Sequence, residues 1–230
     1  MRTRPDQIAA NVRTIQERLG EAATSCGRDP AEVRLIAVSK TVDADAIRAA
    51  VEAGVTDLGE NYVTELREKR PALADLSARW HYIGALRSGT AHHVADLVDV
   101  VHTLAGDRSA RRLAGRAARA GRRLDALVEI DFTGERAGIH PDEAPEAAAR
   151  FGTLDGIRLR GLMTIAPLGA TAEDARPWFR RLRELRDRLR EHDPNVLDLS
   201  MGMSLDYAVA VQEGATMVRI GTAVFGARTP

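Results

Sequence analysis

Of the 33 basic residues in this 230-residue chain, 31 are arginine, and the only lysines are Lys40 and Lys69. Where arginine fills the generic cationic roles, a remaining lysine points to chemistry that needs an amine. An amine condenses with a carbonyl to form an imine, and a guanidinium does not. Lys40 follows the apolar run Val33-Arg-Leu-Ile-Ala-Val-Ser39, a short strand candidate. An amine at such a strand end, flanked by an apolar wall, is partly desolvated, which disfavours its charged form and frees the nucleophile. The same position also suits a solvated strand-end lysine. Lys69 lies in the helical run 65–70, which is expected on the outer surface.

Two further segments could bind an anion. Met201-Gly-Met-Ser204 and Gly221-Thr222 are small-residue turns, each leading into a helix start. Exposed backbone N–H groups and a hydroxyl in such a turn suit a phosphate. Plain turn chemistry, with Ser204 as a helix N-cap, is the other reading of the first turn. Arg219 lies in Met217-Val-Arg-Ile-Gly221. Strand side chains alternate, so Arg219 faces opposite to Val218 and Ile220. If it points inward it is a buried charge that needs partners. An imine-forming lysine, a phosphate cradle and an arginine able to meet a ring nitrogen together describe a pyridoxal phosphate site.

The elements that must position these residues alternate along the chain. Strand candidates at 33–39, 57–61, 80–84, 97–102, 124–131, 159–164, 196–200 and 216–220 are separated by helical patterns. The helices are expected at 43–53, from 62 to about 75, and at 88–94, 107–120, 142–151, 173–192, 204–212 and 222–225. Short strands alternating with helices predict βαβ units and a parallel sheet. Eight of them in one domain predict an α/β fold of the closed (β/α)8 type, in which active groups sit at the C-terminal ends of the strands. An extra N-terminal helix, residues 5–23, has Ile8, Val12, Ile15 and Leu19 at helical spacing. The whole chain, 1–230, reads as one domain, with the N-terminal helix within 1–30 and the barrel over 33–228. No G-x-G-x-x-G or Walker A pattern supports an open nucleotide-binding sheet.

Composition narrows the function classes. Basic and acidic residues balance at 33 each, which argues against a nucleic-acid binder. No apolar run reaches the roughly 20 residues of a membrane span. The N-terminus lacks a signal-type apolar core, so a cytoplasmic location is expected. Cys26 alone cannot build a disulfide framework or a cysteine-based zinc cluster, and no metal site is expected. His92 and His93 are adjacent, a poor chelating geometry on a helix, and read as surface residues. Seven arginines without an acid between 108 and 123 read as the outer face of a barrel helix, buried through Ala110, Leu113, Ala114 and Ala117. The helix around 180–190 is expected to bury Trp178, Phe179, Leu182, Leu185 and Leu189.

Six segments in order carry a resemblance. They are Ala37-Val-Ser-Lys40, Gly59-Glu-Asn-Tyr62, Trp80-His-Tyr-Ile-Gly84, Arg160-Gly-Leu-Met163, Leu199-Ser-Met-Gly-Met-Ser204, and Met217-Val-Arg-Ile-Gly-Thr222 continuing to Phe225-Gly-Ala-Arg228. They resemble the pyridoxal phosphate homeostasis proteins, relatives of the barrel half of alanine racemase. The resemblance implies pyridoxal 5′-phosphate as cofactor, carried on Lys40 as a Schiff base. It implies Arg219 at the pyridine nitrogen, Ser204, Gly221 and Thr222 at the phosphate, and Asn61 and Met163 lining the ring. It also implies a role in vitamin B6 balance without proficient catalysis, delivery to apo forms of pyridoxal phosphate enzymes, and a monomer. The chain departs from the family at Gly84-Ala-Leu-Arg-Ser-Gly-Thr90, where a lysine is common, and at Leu205, where an acid is common. Arg136 stands where the family has a lysine.

The alternative is an amino-acid racemase of the alanine racemase type. A two-base racemase needs an acid/base group on each face of the substrate. In the racemases the second base comes from an additional C-terminal domain, and this sequence ends at Pro230, soon after the eighth strand. Tyr62, Tyr207 or His81 could stand in. Each also has a packing role open to it.

Overall fold

The structure is a computed structural model and describes residues 3–226, so Arg228, the end of the expected barrel segment, lies outside the described residues. Eight parallel strands close into a barrel in sequence order. They are β1 (Arg34–Val38), β2 (Asp57–Glu60), β3 (Arg79–Tyr82), β4 (Val100–Leu104), β5 (Leu124–Glu129), β6 (Ile157–Met163), β7 (Asp198–Ser200) and β8 (Met217–Ile220). Helix α1 (Pro5–Ser25) precedes them. Then α2 (Ala44–Glu52), α3 (Val63–Ala72), α4 (Ala91–Leu97), α5 (Asp107–Arg119), α6 (Ala144–Gly152), α7 (Arg176–Arg190), α8 (Tyr207–Gln212) and α9 (Thr222–Phe225) follow the strands in turn. The (β/α)8 architecture read from the alternation is the one observed.

Local chemistry explains two of the helix starts. Pro5 opens α1, where its missing N–H costs nothing. Asp43 caps α2 by accepting from the Ala46 N–H at 2.9 Å. Strand β4 starts at Val100 because α4 runs on through Leu97. Helix α7 starts at Arg176, after a separate 3-10 turn over Ala172–Ala175.

The pleat sorts each strand into two faces. Leu35, Ala37, Val218 and Ile220 pack outward against the helices in the main core. Ile36 and Val38 point inward, where a Cβ on Gly59 would meet both of them and Ile83. Leu127, Met163, Val100 and Ile165 form the small apolar cluster of the interior. The N-terminal end of the barrel is closed by ion pairs: Arg34 and Arg160 on Asp198, and Arg79 and Arg158 on Asp125.

The outer helices bury the expected stripes. Ile8, Val12, Ile15 and Leu19 of α1 are buried, as are Ala110, Leu113, Ala114 and Ala117 of α5. In α7 Phe179, Leu182, Leu185 and Leu189 are buried, while Trp178 is only partly covered beside Phe132. Each buried leucine or phenylalanine contributes about 1.5–3 kcal/mol. No helix among the described residues is long and apolar enough to cross a membrane.

Candidate functional site

Lys40 continues the inward phase of Ile36 and Val38 just past β1 and is half-buried. Ser39 extends the strand pairing through its N–H to the Gly59 carbonyl at 2.8 Å. The chain then turns sharply, because Thr41 takes the left-handed conformation at φ 62°. A non-glycine residue there is uncommon and needs support from its surroundings.

That support comes from α3, and it corrects one expectation. Lys69 is not on the outer surface: its side chain is 11% exposed and reaches back under the end of β1. Its Nζ donates to the Ser39 carbonyl at 2.7 Å, to Glu60 at 2.9 Å and to Glu65 at 2.5 Å. Glu65 in turn accepts from the Thr41 N–H at 2.8 Å. The run 65–70 is helical and charge-rich, which reads as solvated. The fully buried Glu60 at the end of β2 draws the lysine inward instead.

Arg219 points into the barrel, on the face opposite to Val218 and Ile220, and is buried. Its Nη1 donates to Ser200 Oγ at 2.5 Å and its Nη2 to the Thr164 carbonyl at 2.9 Å. It pairs in register with Ile36 of β1, one pleat layer below Val38. Burial lowers its pKa to about 10, so the guanidinium remains charged at neutral pH. From Ser200 a line of buried polar groups continues through His102 (2.8 Å) and His81 (2.8 Å) to Asp57 (2.8 Å). Sequence reasoning missed this line. Its one visible signal is a polar residue at the inward position of each strand involved.

The two turns lie where the barrel places them, after β7 and β8. Ser204 is half-buried in the first, and its hydroxyl makes no hydrogen bond among the described residues. It is not a helix N-cap: α8 begins at Tyr207, and Asp206 precedes it, accepting from the Met203 N–H at 2.6 Å. Gly221 is half-buried and Thr222 exposed at the start of α9. This turn is tied down by α1, where Asn11 donates to the Val224 carbonyl at 2.9 Å and Thr3 to that of Phe225 at 2.6 Å.

Asn61 and Met163 complete the expected set. Met163 is buried in the barrel interior, in register with Ser200. The Asn61 N–H donates to Glu60 at 2.8 Å, and its side-chain oxygen is buried with no partner among the described residues. Gly84 lets the loop after β3 lie against this residue, since a Cβ there would collide with the Asn61 carbonyl. Two acids near Arg219 were not foreseen. Burial pushes the Glu129 carboxyl up, against the opposing pull of Arg219 and Arg136. Burial likewise pushes Asp206 up, against the Met203 N–H and Arg219.

These features fit pyridoxal phosphate. Asn61 offers a buried acceptor without a partner, Ser204 an unpaired hydroxyl, and Arg219 spare N–H groups for a ring nitrogen. When bound, the cofactor supplies an aldehyde that condenses with an amine and a ring that withdraws electrons from it. The residues at the barrel mouth would hold, orient and partly desolvate it.

Comparison with known proteins gives one consistent picture. The family model described as the alanine racemase N-terminal domain matches residues 4–229. A pyridoxal phosphate homeostasis protein of Pseudomonas aeruginosa is 41% identical over 223 residues, covering 96% of each chain. A structure of PipY from Synechococcus elongatus, with pyridoxal phosphate bound, is 37% identical at TM-score 0.81, covering 92% of this chain and all of that one. A Bifidobacterium adolescentis protein described as unknown superposes at TM-score 0.89 with 32% identity, over 96% and 95% of the two chains.

Proposed function

The chain belongs to the pyridoxal phosphate homeostasis protein family, and from that premise we propose that it binds pyridoxal 5′-phosphate at the barrel mouth and carries it within the cytoplasm. Lys40 holds the aldehyde as a Schiff base. Arg219 donates to the ring nitrogen. Ser204, Gly221 and Thr222 hold the phosphate, and Asn61 and Met163 line the ring. The protein works as a monomer and delivers the cofactor to apo-enzymes that need it.

The observation that carries this reading is the buried Arg219 guanidinium on the inward face of β8. A permanent cation inside a barrel is costly to desolvate. Its placement, with N–H groups to spare, makes sense for a ligand that brings an acceptor atom. Guanidinium only donates, so the ring nitrogen must accept and stays unprotonated. The ring is then a weaker electron sink than one held by an acid, which narrows the feasible carbanion chemistry without forbidding racemisation.

Among the residues that could act as a second base, His81 is committed elsewhere. Both ring nitrogens of His81 are engaged deep in the barrel, by Asp57 and His102. Tyr207 is buried at the start of α8, and Tyr62 is 51% exposed. The test pairs two assays on the loaded protein. One is reconstitution of an apo-enzyme from bound cofactor, which is expected to proceed. The other is deuterium uptake at the Cα of a panel of amino acids in heavy water. Uptake at about 1 s⁻¹ or more, the low end of ordinary enzymes, lost in Lys40→Ala, would replace the carrier reading with the racemase.

A further inference from the structure

The line Arg219–Ser200–His102–His81–Asp57 joins five strands across the closed interior, and His81, His102 and Ser200 have no exposed surface. In such a place each link needs one donor and one acceptor, because water cannot repair a mismatch. The ionisation states are set by the surroundings. Burial pushes His102 well down and His81 down, so both imidazoles are neutral. Burial alone would raise Asp57, but hydrogen bonds from His81 and Thr56 and the charge of Arg34 leave it below its ordinary value, as a carboxylate.

Those states permit a single arrangement of protons. The Asp57 carboxylate can only accept, so His81 Nε2–H donates to it. Neutral His81 then accepts at Nδ1, so His102 Nε2–H donates there. Neutral His102 accepts at Nδ1, so Ser200 gives it the hydroxyl proton. With that proton committed, Ser200 Oγ faces Arg219 as an acceptor. Turning any link around would set two donors or two acceptors face to face, unless another proton were added.

We propose that Ser200 and His102 are positioning residues for Arg219: the one-way chain anchored on Asp57 fixes the plane of the guanidinium so that its remaining N–H groups serve the cofactor's ring nitrogen. Nη1 is held by Ser200 and Nη2 by the Thr164 carbonyl, and two fixed points orient a planar group. This inference rests on the ring-nitrogen role of Arg219 proposed above.

The first test needs no cofactor. Two-bond proton–nitrogen correlations on the isotope-labelled full chain at neutral pH should identify His81 and His102 as neutral Nε2–H tautomers, assigned by their loss in His81→Gln and His102→Gln. An Nδ1–H tautomer or an imidazolium at either residue would overturn the chain. The second test compares binding of pyridoxal phosphate with that of its carbocyclic analogue, in which C–H replaces the ring nitrogen. The parent protein should prefer the natural ring. Ser200→Ala should shrink that preference about tenfold, the scale of a hydrogen bond to a charged group, and Ser200→Thr, which keeps the hydroxyl, should retain it. A general packing defect would weaken both ligands alike. A change of less than about threefold in the ratio, or no preference in the parent, overturns the positioning role. If the parent binds neither ligand, the cofactor reading itself fails, and the tautomers still decide whether the chain exists.

Discussion

Lys69 Nζ lies 2.7 Å from the carbonyl of Ser39, the residue immediately before Lys40. On the other side of Lys40, the Thr41 N–H is held by Glu65, the ion-pair partner of Lys69 one helical turn earlier. One turn of α3 thus grips the peptide groups on both sides of Lys40. Lys69 is spent on holding the backbone, which leaves Lys40 as the amine proposed to carry the cofactor.

That division predicts a stability effect. Lys69→Met leaves the fully buried Glu60 without its cation and the Ser39 carbonyl without its Lys69 donor. A broken buried pair costs about 3–5 kcal/mol. Chemical denaturation should register a loss of that order, and adding Glu60→Gln should recover part of it. A loss below about 1 kcal/mol would mean the pair is only a surface contact.

The phosphate turn gives a ligand-selective prediction. The Ser204 hydroxyl makes no hydrogen bond within the described protein, so Ser204→Ala should leave folding stability unchanged. Its binding of pyridoxal phosphate should weaken by about 1.5–3 kcal/mol, while binding of unphosphorylated pyridoxal should not change. Titration calorimetry with both ligands checks this. Unchanged binding of both would move the phosphate elsewhere.

Much of this was legible in the sequence, and the limits have physical causes. The eight strands alternate with helices at local spacing, so the barrel could be read directly, while the pleat set Arg219 opposite to Val218 and Ile220 and left open which side faces inward. Lys40 stood out by its place after an apolar run, a place that equally suits a solvated strand-end lysine. Lys69 was misplaced because helical periodicity sees only the charges of residues 65–70, and the pull of Glu60 is tertiary. The polar line was invisible for the same reason. Asp57, His81, His102 and Ser200 lie 24, 21 and 98 residues apart along successive links. Each looks like an isolated polar residue in its own strand.

The buried histidines predict how stability depends on pH. Burial holds the folded pKa values of His81 and His102 below the ordinary 6.5. The unfolded chain therefore binds more protons than the folded one as pH falls through that value, and stability falls with it. Each histidine contributes up to about 1.4 kcal/mol per pH unit in that window. Asp57 adds a further loss only in stronger acid, as pH falls through its lowered folded pKa. Urea denaturation at pH 7.5 and pH 5 should show the drop, and His102→Asn should reduce it. A pH-independent midpoint over that range would contradict the neutral, buried pair.

Backbone contact at Asn61 predicts the effect of one methyl group. Gly84→Ala drives a Cβ into the Asn61 carbonyl, and overpacking of this kind costs about 1–3 kcal/mol. Because the strain falls on the residue with the unpartnered buried oxygen, cofactor binding should weaken as well. A thermal melt and a binding titration on the same variant test both effects. Full retention of both would show that the loop has room to move.

The central claim is that Lys40 carries the cofactor, and borohydride reduction of the loaded protein followed by peptide mapping tests it most directly. The account predicts one pyridoxyl adduct, on Lys40, with loss of the visible absorption band, and no adduct in Lys40→Ala. An adduct mapped to Lys69, or a band that persists in Lys40→Ala, would contradict it.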